Sequence, residues 1–254
     1  MANTFHRIGS GPHAVLVLHG WFGDAHAFAP IEPWVSQQAF SYYCMDQRGY
    51  GGMQDSSGPF SIAQVAADAL QLADTLGLDR FSVLGHSMGG MVGEQIAVLA
   101  PERVRALVAV APVPCGGIAY DAAALAFLEA TATRLEHRRT IIDRSTGGRL
   151  PASWVAWKAE YSAACSSTHA FAAYLQAWAH TDFRHALVGA HPVKVLVGEH
   201  DPTFTAALMV RTYGQHYRAA SIEVLRNAGH YPMNETPLAL VAAIEAFLHG
   251  LPAE

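Results

Sequence analysis

Five short apolar runs, each followed by a polar or glycine-rich turn, constrain the fold of this chain most strongly. They cover residues 14–18, 42–45, 81–84, 104–110 and 193–197, and they are rich in β-branched side chains. Strands buried on both faces have this nearly continuous hydrophobicity, whereas a sheet with one exposed face shows strict alternation. Because helical patterns separate the runs, the sequence predicts an α/β fold in which helices flank a parallel sheet.

Helical periodicity is clearest over residues 62–76, where apolar side chains recur at the three-to-four spacing of one buried face. Ser61 is expected to cap this helix and Gly77 to end it. Further predicted elements are helices over residues 88–100, 206–213 and 237–249 and an outer strand over 221–225.

The alternation of strands and helices stops between residues 115 and 187. Helical patterns rich in alanine and aromatic residues replace it, with a Gly-Gly turn at 147–148. We therefore predict that residues 1–114 and 188–254 form the core domain and that residues 115–187 form an inserted helical cap.

The amino-acid composition limits the kinds of partner that this protein is expected to bind. Hydrophobic residues make up 51% and charged residues 15% of the chain, which favours a compact globular protein. A net charge of −5 without charged runs argues against nucleic acid and membrane surfaces as partners. Three widely spaced cysteines and an N-terminus without an apolar signal segment favour a reduced, cytoplasmic setting. A small-molecule substrate is the expected partner, and a homo-oligomer is left open.

The most specific motif is Gly-His-Ser-Met-Gly-Gly at residues 85–90, directly after the run 81–84 and before a helical pattern. A serine on such a sharp strand-to-helix turn has a strained backbone, and glycines two residues away on either side avoid collisions. Gly85 and Gly89 occupy those positions. We therefore predict that Ser87 is a nucleophile; the alternative is a glycine-rich turn with an incidental serine.

A serine nucleophile needs a base for its proton and a carboxylate that orients this base. Asp201 and His230 each follow a predicted strand, so both should lie at the same edge of the sheet as Ser87. The chain has 14 histidines, and position distinguishes His230 from the others. Glu199 is the alternative acid, and His200 is the competing histidine.

Attack on a carbonyl places negative charge on its oxygen, which backbone amides can stabilise. The amide of Met88, next to the nucleophile, is one predicted donor. The second lies in His-Gly-Trp-Phe-Gly at residues 19–23, before a helix predicted from near Asp24. Trp21 is the predicted donor and Phe22 the alternative. His19 is expected to shape this loop by hydrogen bonding.

Five motifs in this order resemble the α/β-hydrolase superfamily over nearly the whole chain. They are His-Gly-Trp at 19–21, Asp-Gln-Arg-Gly-Tyr-Gly at 46–51, the serine motif at 85–90, Gly-Glu-His-Asp-Pro at 198–202 and Gly-His-Tyr-Pro at 229–232. The resemblance implies an eight-stranded, mostly parallel sheet with a helical cap, and acyl transfer by Ser87, Asp201 and His230 without a cofactor or metal.

Departures from the family pattern also carry expectations. The N-terminal segment is short, so the first antiparallel strands should be reduced to about residues 5–8. Asp46 and Arg48 are expected to be structural. Haloalkane dehalogenases and epoxide hydrolases of this fold use an aspartate nucleophile, and Ser87 argues against both.

The expected reaction is hydrolysis of an ester or related activated carbonyl of a small, largely apolar molecule. Phe22, Met91 and Trp154 are the predicted pocket residues. The alternative is a carbon–carbon hydrolase or enol-lactonase of aromatic degradation, because such relatives hold carboxylates with basic residues and this cap contains arginines. A small-ligand receptor on the same fold is an alternative of another class.

Overall fold

Seven strands form one sheet in the computed structural model, which describes residues 3–252. The strands are β1 Phe5–Ile8, β2 His13–Leu18, β3 Phe40–Met45, β4 Phe81–His86, β5 Val104–Val110, β6 Val193–Gly198 and β7 Ala220–Leu225. They lie in the order β1-β3-β2-β4-β5-β6-β7. Strands β2 to β7 are parallel, and β1 pairs antiparallel with β3. The predicted α/β class with a mostly parallel sheet is confirmed.

The family resemblance implied eight strands, and this number is wrong for residues 3–252, which form seven. One antiparallel strand, β1, precedes the parallel strands, as the short N-terminal segment predicted. Gly9, in a left-handed conformation (φ 80°), ends β1, and the chain enters β2 four residues later. That segment has no room for a second antiparallel strand.

The described part of the chain contains ten α-helices in addition to this sheet. They are α1 Ile62–Thr75, α2 Met88–Leu99, α3 Ala122–Ala130, α4 Leu135–Ser145, α5 Ala152–Ala164, α6 Thr168–His180, α7 Ala206–Arg211, α8 Tyr213–His216, α9 Pro232–Glu235 and α10 Pro237–His249. Short 3-10 helices occur at Ala29–Ile31, Gly51–Met53 and Arg184–Ala186. Of residues 3–252, no helix is long and apolar enough to cross a membrane.

The predicted caps of α1 are confirmed. The Ser61 hydroxyl accepts a hydrogen bond from the Gln64 amide at 3.2 Å. Gly77 ends the helix in a left-handed conformation (φ 66°), in which the Leu78 amide donates to the Ala73 carbonyl. This end of α1 therefore follows directly from local sequence chemistry.

Two helix predictions need correction. The helix predicted over residues 206–213 is broken at Thr212, whose backbone (φ −117°, ψ −84°) lies outside the helical region. No α-helix starts near Asp24, where the structure has turns and then the 3-10 helix Ala29–Ile31. Pro30 and Pro33 lack the amide hydrogens that a continuing α-helix needs.

Four α-helices, α3 to α6, lie between β5 and β6, where the sequence predicted an inserted cap. The one β-bridge of residues 115–187 joins Ser166 to Tyr50 of the core. The Trp21 indole stacks on Phe171 of α6 with ring centroids 4.2 Å apart, so these helices pack directly on a core loop. That they form a separate cap unit stays a prediction.

Helix α2 carries a buried carboxyl group behind the serine turn. Glu94 is 1% exposed, and its Oε2 accepts a hydrogen bond from the Cys115 amide at 2.9 Å. The hydroxyl groups of Tyr213 and Tyr217 lie next to this carboxyl group and, with the Cys115 amide, partly oppose the effect of burial on its pKa. Burial raises the pKa of Glu94 to about 8, so this carboxyl group is protonated in the folded protein at neutral pH.

Glu94 should make the folded state less stable as pH rises. Between an ordinary carboxyl pKa and about 8, the unfolded chain has released this proton while the folded chain keeps it. The free energy of unfolding should fall through this window by up to about 1.4 kcal/mol per pH unit. Glu94→Gln should reduce the fall, as measured by urea unfolding at pH 5, 6.5 and 8. The exposed Glu102→Gln is the control, and equal pH slopes in wild type and Glu94→Gln would contradict a protonated Glu94.

Candidate active site

Ser87 occupies the turn between β4 and α2 with a strained backbone (φ 53°, ψ −118°). A Cβ atom at Gly85 would lie 2.2 Å from the Gly89 carbonyl oxygen, and one at Gly89 would lie 2.2 Å from the Leu18 carbonyl oxygen. The turn thus packs against the end of β2 at a distance that only glycine permits. The Ser87 amide donates to the Val110 carbonyl at 2.9 Å, which fixes the turn to β5.

Asp201 follows β6, and His230 lies in the loop after β7. Their side chains meet, with His230 Nδ1 2.7 Å from Asp201 Oδ2, and they are 9% and 0% exposed. Asp201 Oδ1 accepts hydrogen bonds from the amides of Thr203 and Phe204 at 2.9 and 3.0 Å. Since the carboxylate accepts, the imidazole donates through Nδ1, and Nε2 is left to accept a proton.

Ser87 and His230 line the same cavity, so the structure brings together the three residues singled out by the sequence. The Ser87 hydroxyl has no hydrogen-bond partner among residues 3–252. A hydrogen bond between Ser87 and His230 would therefore have to form when substrate binds, and such bonds are often long or poorly aligned before that.

Glu235 holds the loop that carries His230. Its carboxylate accepts hydrogen bonds from the amides of Gly229 at 2.8 Å and Tyr231 at 3.0 Å, on both sides of the histidine. Arg149 pairs with this carboxylate at 3.0 Å. Glu235 was not among the residues predicted from the sequence, although a glutamate five residues after the histidine was a usable signal.

Two further contacts fix the backbone of His230. Its amide donates to the Ser145 carbonyl at 3.0 Å, at the end of α4. His86 Nε2 lies 2.8 Å from the His230 carbonyl oxygen, and burial lowers the pKa of His86 well below its usual range. His86 is therefore neutral and donates this hydrogen bond.

The loop after β2 lies beside the serine. A Cβ atom at Gly20 would be 3.0 Å from Ser87 Cβ, so this glycine lets the loop approach. No described residue accepts a hydrogen bond from the amides of Trp21 or Phe22, and Met88 is the first residue of α2, where helix amides lack intrahelical acceptors. Trp21 and Met88 stay the predicted oxyanion donors, with Phe22 the alternative.

His19 supports this loop. Its Nδ1 lies 2.8 Å from the Gly20 carbonyl oxygen, and its Nε2 is 3.2 Å from the Gln47 amide, which donates to it. Burial lowers the pKa of His19, so a neutral ring that donates through Nδ1 and accepts through Nε2 fits both contacts. These bonds agree with the predicted shaping role.

Asp46 and Arg48 make structural contacts, as expected. Asp46 accepts hydrogen bonds from the amides of Ala25 at 2.8 Å and Gly52 at 3.0 Å. Arg48 forms a two-point ion pair with Asp68, with both distances 2.7 Å. These bonds tie the loops after β2 and β3 together and to α1.

A cavity of about 310 Å³ opens at Ser87, between the core and the helices α3, α4 and α6. Its walls are largely apolar and aromatic, and they include Trp21, Phe22, Val113, Tyr120, Ala124, Phe127, Leu128, Ile141, Trp178, Phe204 and Tyr231. Arg144 is its one basic residue within the described chain besides His230. The arrangement fits a small, largely apolar ligand placed with one end at the serine.

Of the three predicted pocket residues, Phe22 lines this cavity, whereas Met91 and Trp154 do not. Met91 is 0% exposed, because one turn along α2 its side chain faces the core. Trp154 packs edge-on against Tyr231, with ring centroids 5.7 Å apart, and so lies behind a cavity residue. Neither side chain lines a cavity at Ser87.

The alternative acid and the competing histidine lie apart from the site. Glu199 accepts a hydrogen bond from the Asn227 amide at 3.1 Å, and its side chain is 47% exposed. His200 lies 3.6 Å from Glu199 and is 37% exposed. The carboxylate in contact with His230 is Asp201.

A second, much smaller cavity of about 10 Å³ lies beside Ser87 and His230. Lys158 of α5 lines it and is 3% exposed. The sequence analysis missed this residue. Its burial was indicated by its position in the sequence, because Lys158 lies at helical spacing from the other buried residues of α5, which are Val155, Ala159 and Ser162. Within residues 3–252 no three His, Cys, Asp or Glu side chains are grouped to hold a metal ion.

Comparison with known proteins shows which proteins this chain resembles in sequence and fold. A fluoroacetate dehalogenase from a Burkholderia species is 35% identical over 111 residues, which cover 42% of this chain and 36% of that protein. 3-Oxoadipate enol-lactonase 2 from Acinetobacter baylyi is 29% identical over 215 residues, 84% of this chain and 80% of that protein. The solved structure of an esterase from Exiguobacterium antarcticum superimposes with a TM-score of 0.83 at 20% identity, covering 98% and 96% of the two chains.

The matched part of the dehalogenase is only about a third of its length, so that similarity concerns a segment rather than the whole protein. The sequence model of the alpha/beta hydrolase family, in contrast, matches residues 15–244 of this chain. The relatives named above are hydrolases, and the sheet order and the serine turn fit the same fold. This protein belongs to the α/β-hydrolase family.

Proposed function

We propose that this protein is a serine hydrolase that cleaves an ester, or a related activated carbonyl, of a small and largely apolar molecule through an acyl-enzyme. The observation that carries the proposal is the 2.7 Å contact between His230 and Asp201 at a cavity into which the strained turn presents Ser87. Nucleophile, base and orienting carboxylate occupy the roles that acyl transfer needs.

In the proposed reaction the Ser87 oxygen attacks the substrate carbonyl carbon while His230 Nε2 takes the hydroxyl proton. The carbonyl electron pair moves to oxygen, where the amides of Met88 and Trp21 are the expected donors. Collapse of this intermediate expels the alcohol, which receives the proton from His230. Water then attacks the acyl-enzyme by the same steps and regenerates the serine. Asp201 keeps His230 in the required tautomer throughout.

The cavity supports a substrate that is apolar and of modest size. A volume of about 310 Å³ suits a small molecule, and most of its lining side chains are aliphatic or aromatic. Few polar groups reach into it besides the proposed triad, so hydrophobic contact would supply most of the binding energy. A carboxylic ester of a short or medium acyl chain fits these walls best.

An enol-lactonase is the second candidate, and a specific observation favours it. Arg144 on α4 lines the large cavity and forms no ion pair with a described residue, so it is available to a carboxylate on the substrate. The enol-lactonase from Acinetobacter baylyi aligns with 84% of this chain. Lactone opening would use the same serine chemistry.

Displacement of a halide, the activity in the name of the dehalogenase relative, fits this site poorly. A serine that displaced halide from an alkyl carbon would form an ether, which has no carbonyl for water to attack. The nucleophile would then stay alkylated. Ser87 is therefore better suited to acyl transfer.

A fluorophosphonate should label Ser87 with one covalent equivalent, because an activated serine attacks its phosphorus. Intact mass and peptide mapping would show the adduct. Ser87→Ala should abolish labelling. Ser145→Ala is the matched control, since Ser145 lines the same cavity but donates its hydroxyl hydrogen bond to the Ile142 carbonyl. Labelling at another residue, or none in the folded wild type, would contradict the proposal.

Asp201→Asn should lower kcat on p-nitrophenyl esters by about 10³- to 10⁴-fold, because an amide facing His230 Nδ1 stabilises the wrong tautomer. Its Oδ1 can still accept the bonds from Thr203 and Phe204, so the melting temperature should change little. Glu199→Gln, at the neighbouring exposed acid, should stay within about threefold of wild type. If the two variants lose activity equally, Asp201 does not orient the base.

The substrate class can be decided with a panel of p-nitrophenyl esters of increasing chain length, lactones and vinylogous diketones. Fastest turnover of esters supports the first proposal, and fastest turnover of lactones supports the second. Binding that raises the melting temperature without any turnover, in a protein whose Ser87 is not labelled, would instead indicate a receptor.

A further inference from the structure

Lys158 is a buried cation without an anionic partner. It is 3% exposed, and among residues 3–252 no atom accepts a hydrogen bond from its amine and no carboxylate lies within 4 Å of it. Its positive charge contacts the faces of two aromatic rings, with Nζ 4.9 Å from the ring centre of Tyr161 and 5.3 Å from that of Tyr231. An ammonium group in such a place costs free energy of folding.

Arg138, the other buried cation of these helices, makes the hydrogen bonds that are typical of a buried cation with a structural role. It is also 3% exposed, but it donates to the Thr131 carbonyl at 3.1 Å and to the hydroxyls of Ser162 and Ser166 at 3.1 and 3.3 Å. Its guanidinium also lies 3.7 Å from the ring centre of Phe171. Two of the three guanidinium nitrogens of Arg138 donate hydrogen bonds within the fold, whereas the amine of Lys158 donates none to a described residue.

The unused donors of Lys158 are placed next to the proposed reaction centre. Lys158 lines the small cavity together with Ser87, His230 and the loop from Gly20 to Gly23 that carries the expected oxyanion donor Trp21. The volume of about 10 Å³ is close to the space of one water-sized group. A single oxygen atom fits this cavity, whereas a carboxylate or an acyl chain does not.

We propose that Lys158 is the cation that stabilises the negatively charged oxygen formed when Ser87 adds to a substrate carbonyl, directly or through one bound water. This inference rests on the proposed serine hydrolase function and deepens it. When the Ser87 oxygen bonds to the carbonyl carbon, the hydroxyl proton goes to His230 and the carbonyl electron pair becomes the oxyanion. The charge on Lys158 stabilises that state and the transition state leading to it more than the neutral ground state.

The surroundings of Lys158 bring the pKa of its amine close to neutral pH. Burial lowers the pKa of Lys158 to about 8, and the nearby groups Asp24 and Cys165 oppose this shift. The titratable groups around it are Tyr161 and Cys165 on its own helix, Asp24 and His19 from the loop after β2, His86 from β4, and His230 and Tyr231 from the histidine loop. The amine is therefore charged below about pH 8 and neutral above it.

The first test compares wild type, Lys158→Met and Lys194→Met on a neutral p-nitrophenyl ester. The sequence has two lysines, and Lys194 is the matched control because it lies on β6 in an ion pair with Glu223 at 2.6 Å. Lys158→Met should lower kcat about 10- to 100-fold with little change in KM, which is somewhat less than the loss of a direct oxyanion donor. The wild-type kcat should also fall as pH rises through about 8, and Lys158→Met should lack this fall.

The second test measures the amine itself. In protein labelled with ¹³C-lysine, the two side chains can be titrated separately by NMR. A boronic acid forms a negatively charged tetrahedral adduct with an active serine, so its addition should raise the pKa of Lys158 and leave that of Lys194 unchanged. Thermal unfolding adds a third readout, because methionine in place of an unpaired buried ammonium should raise the melting temperature.

Several results would overturn the inference. Lys158→Met with wild-type kcat, a lower melting temperature with an unchanged pH profile, or no response of the amine to the boronic acid would each assign Lys158 a structural role. A rise in KM confined to anionic esters would assign it to a substrate carboxylate instead. Failure of fluorophosphonate to label Ser87 overturns the proposed function, whereas normal labelling with wild-type kcat in Lys158→Met overturns this inference alone.

Discussion

The backbone of Ser87 is the constraint on which the rest of the site depends. A residue with φ 53° and ψ −118° is strained, and it persists only where the surrounding contacts leave no alternative. Here β4 ends against β2 and β5, and Gly89 contacts the Leu18 carbonyl so closely that any side chain would collide. The strain is held by the parallel sheet, whose central strands are almost fully buried. The fold itself therefore holds Ser87 at the cavity.

Around this fixed serine, the partner residues are held by hydrogen bonds to the backbone. Asp201 accepts two amides of its own loop, and Glu235 accepts the amides on both sides of His230. Loops after parallel strands meet at one edge of the sheet, but they would be mobile without such contacts. Buried carboxylates that accept several backbone amides turn loops into rigid supports. The backbone of the two loops thus brings His230 and Asp201 close together, and the side-chain contact needs no further change in the loops.

Local chemistry explains why much of this arrangement could be predicted. The serine turn, Asp201 and His230 follow buried strands, and their order and flanking glycines are visible in the sequence. Lys158 was missed because its place beside the site arises from packing between segments far apart in the chain, whereas Glu235 was missed although its bonds to Gly229 and Tyr231 are local. Met91 and Trp154 do not line the cavity, because neither nearness in sequence to Ser87 nor an aromatic side chain decides which residue forms the first layer of a cavity. The strand count failed because family resemblance was extended to a segment too short to supply two strands.

The division between sheet and inserted helices has a consequence for how such a site can change. The proposed triad and the expected oxyanion amides belong to loops of the sheet, whereas Arg144, Lys158 and much of the cavity wall belong to α3 to α6. The two parts meet at several places, among them Trp21, which stacks on Phe171 and donates its indole hydrogen to the Phe171 carbonyl at 2.7 Å. Substitutions in the helices can therefore alter cavity shape and charge while the strained serine turn, supported from below, keeps its geometry. Substrate preference and the bond-breaking step are accordingly separable in this fold except at two places. One is Lys158, where a helix reaches the proposed reacting oxygen, and the other is the contact of Ser145 and Arg149 with the loop that carries His230.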